Sequence, residues 1–179
     1  MSDNRTAALN ILPAAKAARI TDFAGSELFA RTFREGMALV EETAAYLDGP
    51  GREASKTLPR EAALAYAGES MRLTTRLMQI SSWLLVQRAV LEEEMSPAEA
   101  NQDKYRLGAE QVCRGDALGE LDDLPSILTH LLERSERLYE RVFRLDRQLF
   151  GEEEIEPANP VNEQITDLES RLSAAFGGV

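Results

Sequence analysis

The chain has 179 residues, 44% of them hydrophobic and 6% aromatic, with 20 basic against 31 acidic residues and a formal net charge of −11. This is the length of one domain with tails, enough to bury a core without covalent staples, and a charge balance that repels nucleic acid and anionic lipid. One cysteine, Cys113, excludes an intramolecular disulfide and any cysteine-rich zinc site, and no apolar run, Trp83–Val86 included, is long enough to cross a bilayer.

Few aromatics beside abundant Ala, Leu, Glu and Arg favour helix, because unbranched side chains keep most of their rotamer freedom there. Residues 1–25 read as an N-terminal arm. Asp3, Asn4 and Arg5 have no secretory core behind them, and Pro13 interrupts the apolar Leu9, Ile11 and Leu12. The expectation is a cytoplasmic chain whose arm is mobile or docks loosely, with a helical turn or two.

Residues 26–151 read as a bundle of three helices. Helix A spans Glu27 to Leu47, capped by Ser26, with Glu27 where the helix dipole favours a carboxylate. Phe29, Phe33, Met37, Val40, Ala44 and Leu47 recur at helical spacing and define its expected buried stripe. Asp48-Gly49-Pro50-Gly51 stops it. Helix B begins near Leu58 or Pro59, with Thr57 as cap, and continues to Met95. It carries two apolar seams, one of Leu64, Ala67, Met71, Met78 and Leu85, the other of Tyr66, Leu73, Leu77, Ile80, Leu84 and Leu91. A surface helix needs only one stripe, so helix B is central. Ser96-Pro97-Ala98-Glu99 is a capping-box pattern that opens a short helix, and Gly108 to Gly119 is a connector.

Helix C starts after Asp122 or Asp123 and ends at Gly151. Leu124, Leu128, Leu131, Leu138, Val142, Leu145 and Leu149 form a near-heptad seam, with Ser135 filling one slot. The expected fold is an all-α, antiparallel three-helix bundle, up-down-up, with a long central helix. Helix A is roughly 31 Å long and helix B roughly 55 Å, so Ser81–Met95 of helix B overhangs. Trp83, Leu84 and Leu91 in this overhang are the expected contacts of a homodimer.

Residues 152–179 form an acidic tail. Seven acids against one base place −6 of the net charge here. Glu152, Glu153, Glu154 and Ile155 open it, and Val161, Ile165, Leu168, Leu172 and Phe176 have the spacing of a short amphipathic helix that folds only against a partner. Either the tail is an inert solubilising segment or it is a linear binding element.

Catalytic constellations are sparse. His130 is the only histidine and lies between Leu128 and Leu131, as an ordinary structural or surface residue does. No Glu-x-x-His pair suggests a di-iron site, and no metal or cofactor is expected. Pro50–Thr57 ends like a phosphate-binding loop, but Pro50 and Ser55 stand where that motif needs glycine. Arg114 beside Cys113 is positioned to lower the thiol pKa slightly, although a spectator thiol is the simpler reading. Arg134, Arg137, Arg141 and Arg144 make a stripe on helix C, interleaved with Glu133, Glu136 and Glu140. The stripe is either a self-neutralised solvated face or a docking strip for an acidic surface. This arginine stripe, or Arg72 and Arg76 on helix B, allows a further alternative, a ligand-sensing module that holds an anionic molecule or nucleotide.

Residues 33–52 (FREGMALVEETAAYLDGPGR), 65–67 (AYA), 69–78 (ESMRLTTRLM) and 82–90 (SWLLVQRAV) resemble the RcdA family, regulators of CtrA degradation in alphaproteobacteria. The likeness covers helices A and B continuously, and helix C mainly in pattern. The resemblance implies a cytoplasmic, dimeric three-helix bundle without catalytic activity. Such an adaptor helps deliver cell-cycle regulators to the ClpXP protease, with ClpX, co-adaptors and client proteins as partners. It also implies a flexible, functionally important C-terminal tail, which here falls on residues 152–179.

Overall fold

A computed structural model describes residues 12–117 and 123–151. Seven helices occupy them: α1 (Ala14–Ala24), α2 (Glu27–Asp48), α3 (Pro50–Ser55), α4 (Arg60–Leu91), α5 (Pro97–Ala100), α6 (Glu110–Cys113) and α7 (Ser126–Phe150), with a 3₁₀ turn at Asp103–Tyr105. The described residues form an all-α bundle in which α2, α4 and α7 correspond to helices A, B and C. α4 is the long central element.

Local chemistry sets the helix ends. Ser26 Oγ accepts the Phe29 amide at 3.1 Å and caps α2. At Ser96 a complete capping box forms with Glu99 and opens α5. α4 ends at Leu91, four residues before Met95, because Glu93 takes a left-handed backbone (φ 58°). The Glu94 and Met95 amides then turn back to the Ala89 carbonyl. The cap of α4 is Pro59, without a side-chain bond, and Thr57 donates to the Ala54 carbonyl instead.

The directions of the long helices depart from simple alternation. Gly36 of α2 faces Ile80, Leu84 and Leu138, while Arg134 pairs with Glu42 and Arg141 with Glu35. Thus α2 is antiparallel to both other long helices. Arg76 bonds to Leu132 and Ser135, and Trp83 to Asp146, so α4 and α7 run parallel. The stretch from Glu92 to Ala117 is not a loose link between neighbouring ends. It returns along the outside of α4 and α7, meeting Asp146 through Arg106, Gln79 through Gly108 and Arg72 through Gly115.

The deepest line of α2 is Phe29, Thr32, Gly36, Leu39, Thr43 and Tyr46. Of the stripe read from spacing, only Phe29 lies on it. Phe33, Met37, Val40 and Leu47 are half-buried beside it, and Ala44 is exposed. Small residues make the difference. A Cβ on Gly36 would lie 2.7 Å from Leu84 Cδ1, so the missing side chain lets α2 close onto α4 while the larger apolar residues cover the seam's flank.

Where an arm was expected, α1 is a docked helix. Ile20 and Ala24 are buried, and the Phe23 ring lies 5.8 Å from that of Trp83. Lys16 Nζ donates to the Phe150 carbonyl at 2.9 Å and ties α1 to the end of α7. With α1, α2 and α7 around it, the end of α4 does not overhang. Trp83 and Leu84 are 1% and 0% exposed within the single chain, and Trp83 Nε1 donates to Asp146 Oδ1 at 2.8 Å. These two residues are therefore core, not dimer contacts, whereas Leu91 remains exposed.

Candidate functional site

The surface departs most from an ordinary soluble helix along the outer side of α4. Leu64, Met71, Met78 and Leu85, each seven residues apart, are 68%, 73%, 57% and 53% exposed. Between Glu61 and Arg88 this helix has only three charged residues, Glu69, Arg72 and Arg76, and all three are buried. The exposed side between them consists of Leu, Met, Ala, Thr and Ser. An apolar groove of about 310 Å³ continues it toward α2, lined by Val40, Ala44, Leu47, Leu77 and Met78. One of the two apolar seams read from the sequence thus faces the core, and the other faces outward. Contiguous uncharged surface of this kind marks an association face.

The buried charges of α4 point the other way, into the return segment. Arg76 donates through Nε and Nη2 to the Cys113 carbonyl (3.0 and 2.7 Å), and through Nη1 to the Leu132 carbonyl and Ser135 Oγ. Arg72 donates to the Gly115 and Asp116 carbonyls and lies 3.6 Å from Glu69. A polar cleft of about 650 Å³ opens beside them, with Arg114, Glu133 and Glu136 on its walls. Burial pulls the Arg76 pKa down. These guanidinium groups spend their donors on main-chain carbonyls, the Ser135 hydroxyl and a neighbouring carboxylate. Their arrangement is that of a clasp on the chain itself.

The helix C stripe lies on the exposed side of α7. Arg134 reaches Glu42 at 2.6 Å, Arg141 reaches Glu35 at 2.5 Å, and Arg137 stands 3.7 Å from Glu133, while Arg144 is exposed. Two of the four arginines therefore tie α7 to α2. Cys113 is buried, and burial pushes its thiol pKa up. Arg114 turns instead to Glu110 and Glu140, and does not supply the slight lowering that its position beside the thiol allowed. Pro50–Ser55 forms α3, where Ser55 Oγ donates to the Arg52 carbonyl; no phosphate cradle forms. His130 is exposed. Glu152, Glu153, Glu154, Ile155, Ile165, Leu168 and Leu172 lie outside the described residues.

Among the described residues, no cluster of three His, Cys, Asp or Glu side chains is placed to hold a metal ion, and no helix is long and apolar enough to cross a membrane. The sequence reading missed the clasp. Arg72 and Arg76 stood out by spacing, but their acceptors are main-chain carbonyls about 40 residues away, which no residue pattern encodes.

A family model described as "Protein of unknown function (DUF1465)" matches residues 20–174. No curated protein matches. Among solved structures, the crystal structure of RcdA from Caulobacter crescentus is 60% identical, with a TM-score of 0.61, and the match covers 74% of this chain and 98% of that one. On the family match and this neighbour, the chain belongs to the RcdA family.

Proposed function

We propose that the chain is a non-catalytic adaptor of regulated proteolysis. It brings cell-cycle regulatory proteins to the ClpXP protease through protein–protein contacts, in the cytoplasm and as a homodimer. The observation that carries this reading is the uncharged outer side of α4, with Met71 73% and Met78 57% exposed on a chain of which 28% is charged. Such a face serves macromolecular contact, and the 60% identity to RcdA supports the proteolytic setting. An adaptor acts by raising effective concentration, which requires two binding surfaces and reach between them, not a reactive group. The α4 side, with Leu91 at its end, joins two copies, so that each dimer carries two acidic tails, 152–179, as its partner-binding surfaces. The arginine stripe of α7 is an accessory strip for an acidic client or for that tail.

The ligand-sensing alternative finds no favouring observation, because Arg72 and Arg76 are engaged with main-chain carbonyls and Arg134, Arg137 and Arg141 of the stripe with Glu42, Glu133 and Glu35.

Reconstituted degradation tests the proposal. With ClpXP, co-adaptors and a candidate client, the full chain should accelerate client loss several-fold. A chain ending at Gly151 should keep its helical circular dichroism and lose the acceleration. Full acceleration by the truncated chain removes the tail assignment, and none by the full chain across the client set removes the adaptor reading.

A further inference from the structure

The return segment is built unlike the rest of the molecule. From Asn101 to Ala117 only Cys113 is buried, one residue in seventeen. α7, by contrast, buries ten of its 25 residues. Local stability follows buried apolar contact, so this stretch has little of what holds the long helices. It is instead held by side chains reaching its main chain. Tyr139 Oη donates to the Gly108 carbonyl at 3.1 Å, and Gln79 Oε1 accepts the Gly108 amide at 3.0 Å. Arg76 holds the Cys113 carbonyl, and Arg72 those of Gly115 and Asp116. Arg106 closes the other end on Asp146 at 2.7 Å. Between the two ends, Ala109 takes a left-handed backbone (φ 55°), which disfavours a residue with a side chain.

We infer that residues 106–116 form a strap that unlatches from α4 and α7 as a unit while α2, α4 and α7 stay packed. Each clasp exchanges a protein hydrogen bond for one to water when it opens, a small net change per contact. Separating α4 from α7 instead exposes Leu73, Ile80, Leu128, Leu138 and Val142, all at most 4% exposed. The strap therefore opens at a lower free energy than the bundle. Opening frees the donors that Arg72 turns to Gly115 and Asp116 and the Nε and Nη2 donors of Arg76, while Arg76 Nη1 keeps Leu132 and Ser135 and Arg72 keeps Glu69. It also uncovers Cys113, the only thiol in the chain.

That thiol reads the motion. In the full-length native protein, an aromatic disulfide reagent should label Cys113 with a rate proportional to reagent concentration and without loss of helical circular dichroism. Low urea should barely change the rate, because strap opening exposes little surface. Gln79→Met keeps the side-chain length and deletes the acceptor of the Gly108 amide without touching the thiol; it should speed labelling about five-fold, the equivalent of one hydrogen bond. Leu39→Ala weakens the α2 core away from the strap; it should lower the melting temperature and leave native labelling unchanged. The inference fails if labelling rises with urea as steeply as global unfolding does, or if Leu39→Ala speeds labelling in proportion to its loss of stability.

Discussion

At the scale of single residues, the buried tyrosines point to an alkaline limit for the bundle. Tyr46 packs against Gly51, where a Cβ would come within 2.7 Å of the Tyr46 ring and 2.6 Å of the Tyr66 hydroxyl. Burial, with the Tyr66 phenol beside it, pushes the Tyr46 pKa up to about 12. Burial likewise raises Tyr139 and Cys113. Each is an acid whose folded-state pKa lies above its ordinary value. Its contribution is complete below the unfolded pKa and is lost as pH rises toward the folded one. For Tyr46 that window runs from about pH 10 to about 12. The protein should lose helical circular dichroism on the alkaline side of pH 10. Tyr46→Phe removes one phenol that must ionise, so it should move the alkaline midpoint upward. An unchanged midpoint would mean that Tyr46 ionises without opening the α2–α3–α4 junction.

The long helices were legible at the scale of elements because their signals are local. Ser26, Ser96 with Glu99, and the leucine spacing of α7 act within one or two turns, and they fall where the sequence puts them. The buried side of α2 was read one step off because hydrophobicity marks the large flanking residues, while the contact line is set by Thr32, Gly36 and Thr43, which only the shape of α4 selects. Parallel packing of α7 on α4 was not legible at all. It depends on where residues 92–117 travel, and main-chain carbonyls accepting from Arg72 and Arg76 leave no mark in composition. The docked α1 is a third case. A short helix is marginal alone, and Ile20 makes it part of the core only once Trp83 and α7 are in place. Ile20→Ala should cost about 3 kcal/mol, as a large-to-small change at a fully buried site does. The emission of Trp83, the only tryptophan, offers a second readout, shifting to the red as α1 loosens. A change under about 1 kcal/mol would show that α1 rests on the bundle without belonging to its core.

On the scale of the whole molecule, charge is distributed to keep one side free of it. The chain carries −11, yet the three charges of mid-α4 point inward, and on α7 Arg137 pairs with Glu133 while Arg134 and Arg141 pair with α2. Leu64, Met71, Met78 and Leu85 repeat at seven residues, a spacing that lets two such helices cross at a shallow angle. A second copy of the same side has no like charge to repel it. Wild-type protein at micromolar concentration should therefore sediment as a dimer. Raising sodium chloride to about 1 M should leave the dimer intact, because screening weakens only charged contacts. Met71→Glu with Leu85→Glu places two like charges on each copy at positions that touch no core, so the variant should be monomeric with unchanged helical circular dichroism. Association through the α7 stripe would give the opposite pattern, with salt dissociating the wild type and the double variant still dimeric. A monomeric wild type would leave this side of α4 to a partner of different sequence, and the client contact would then be sought there first.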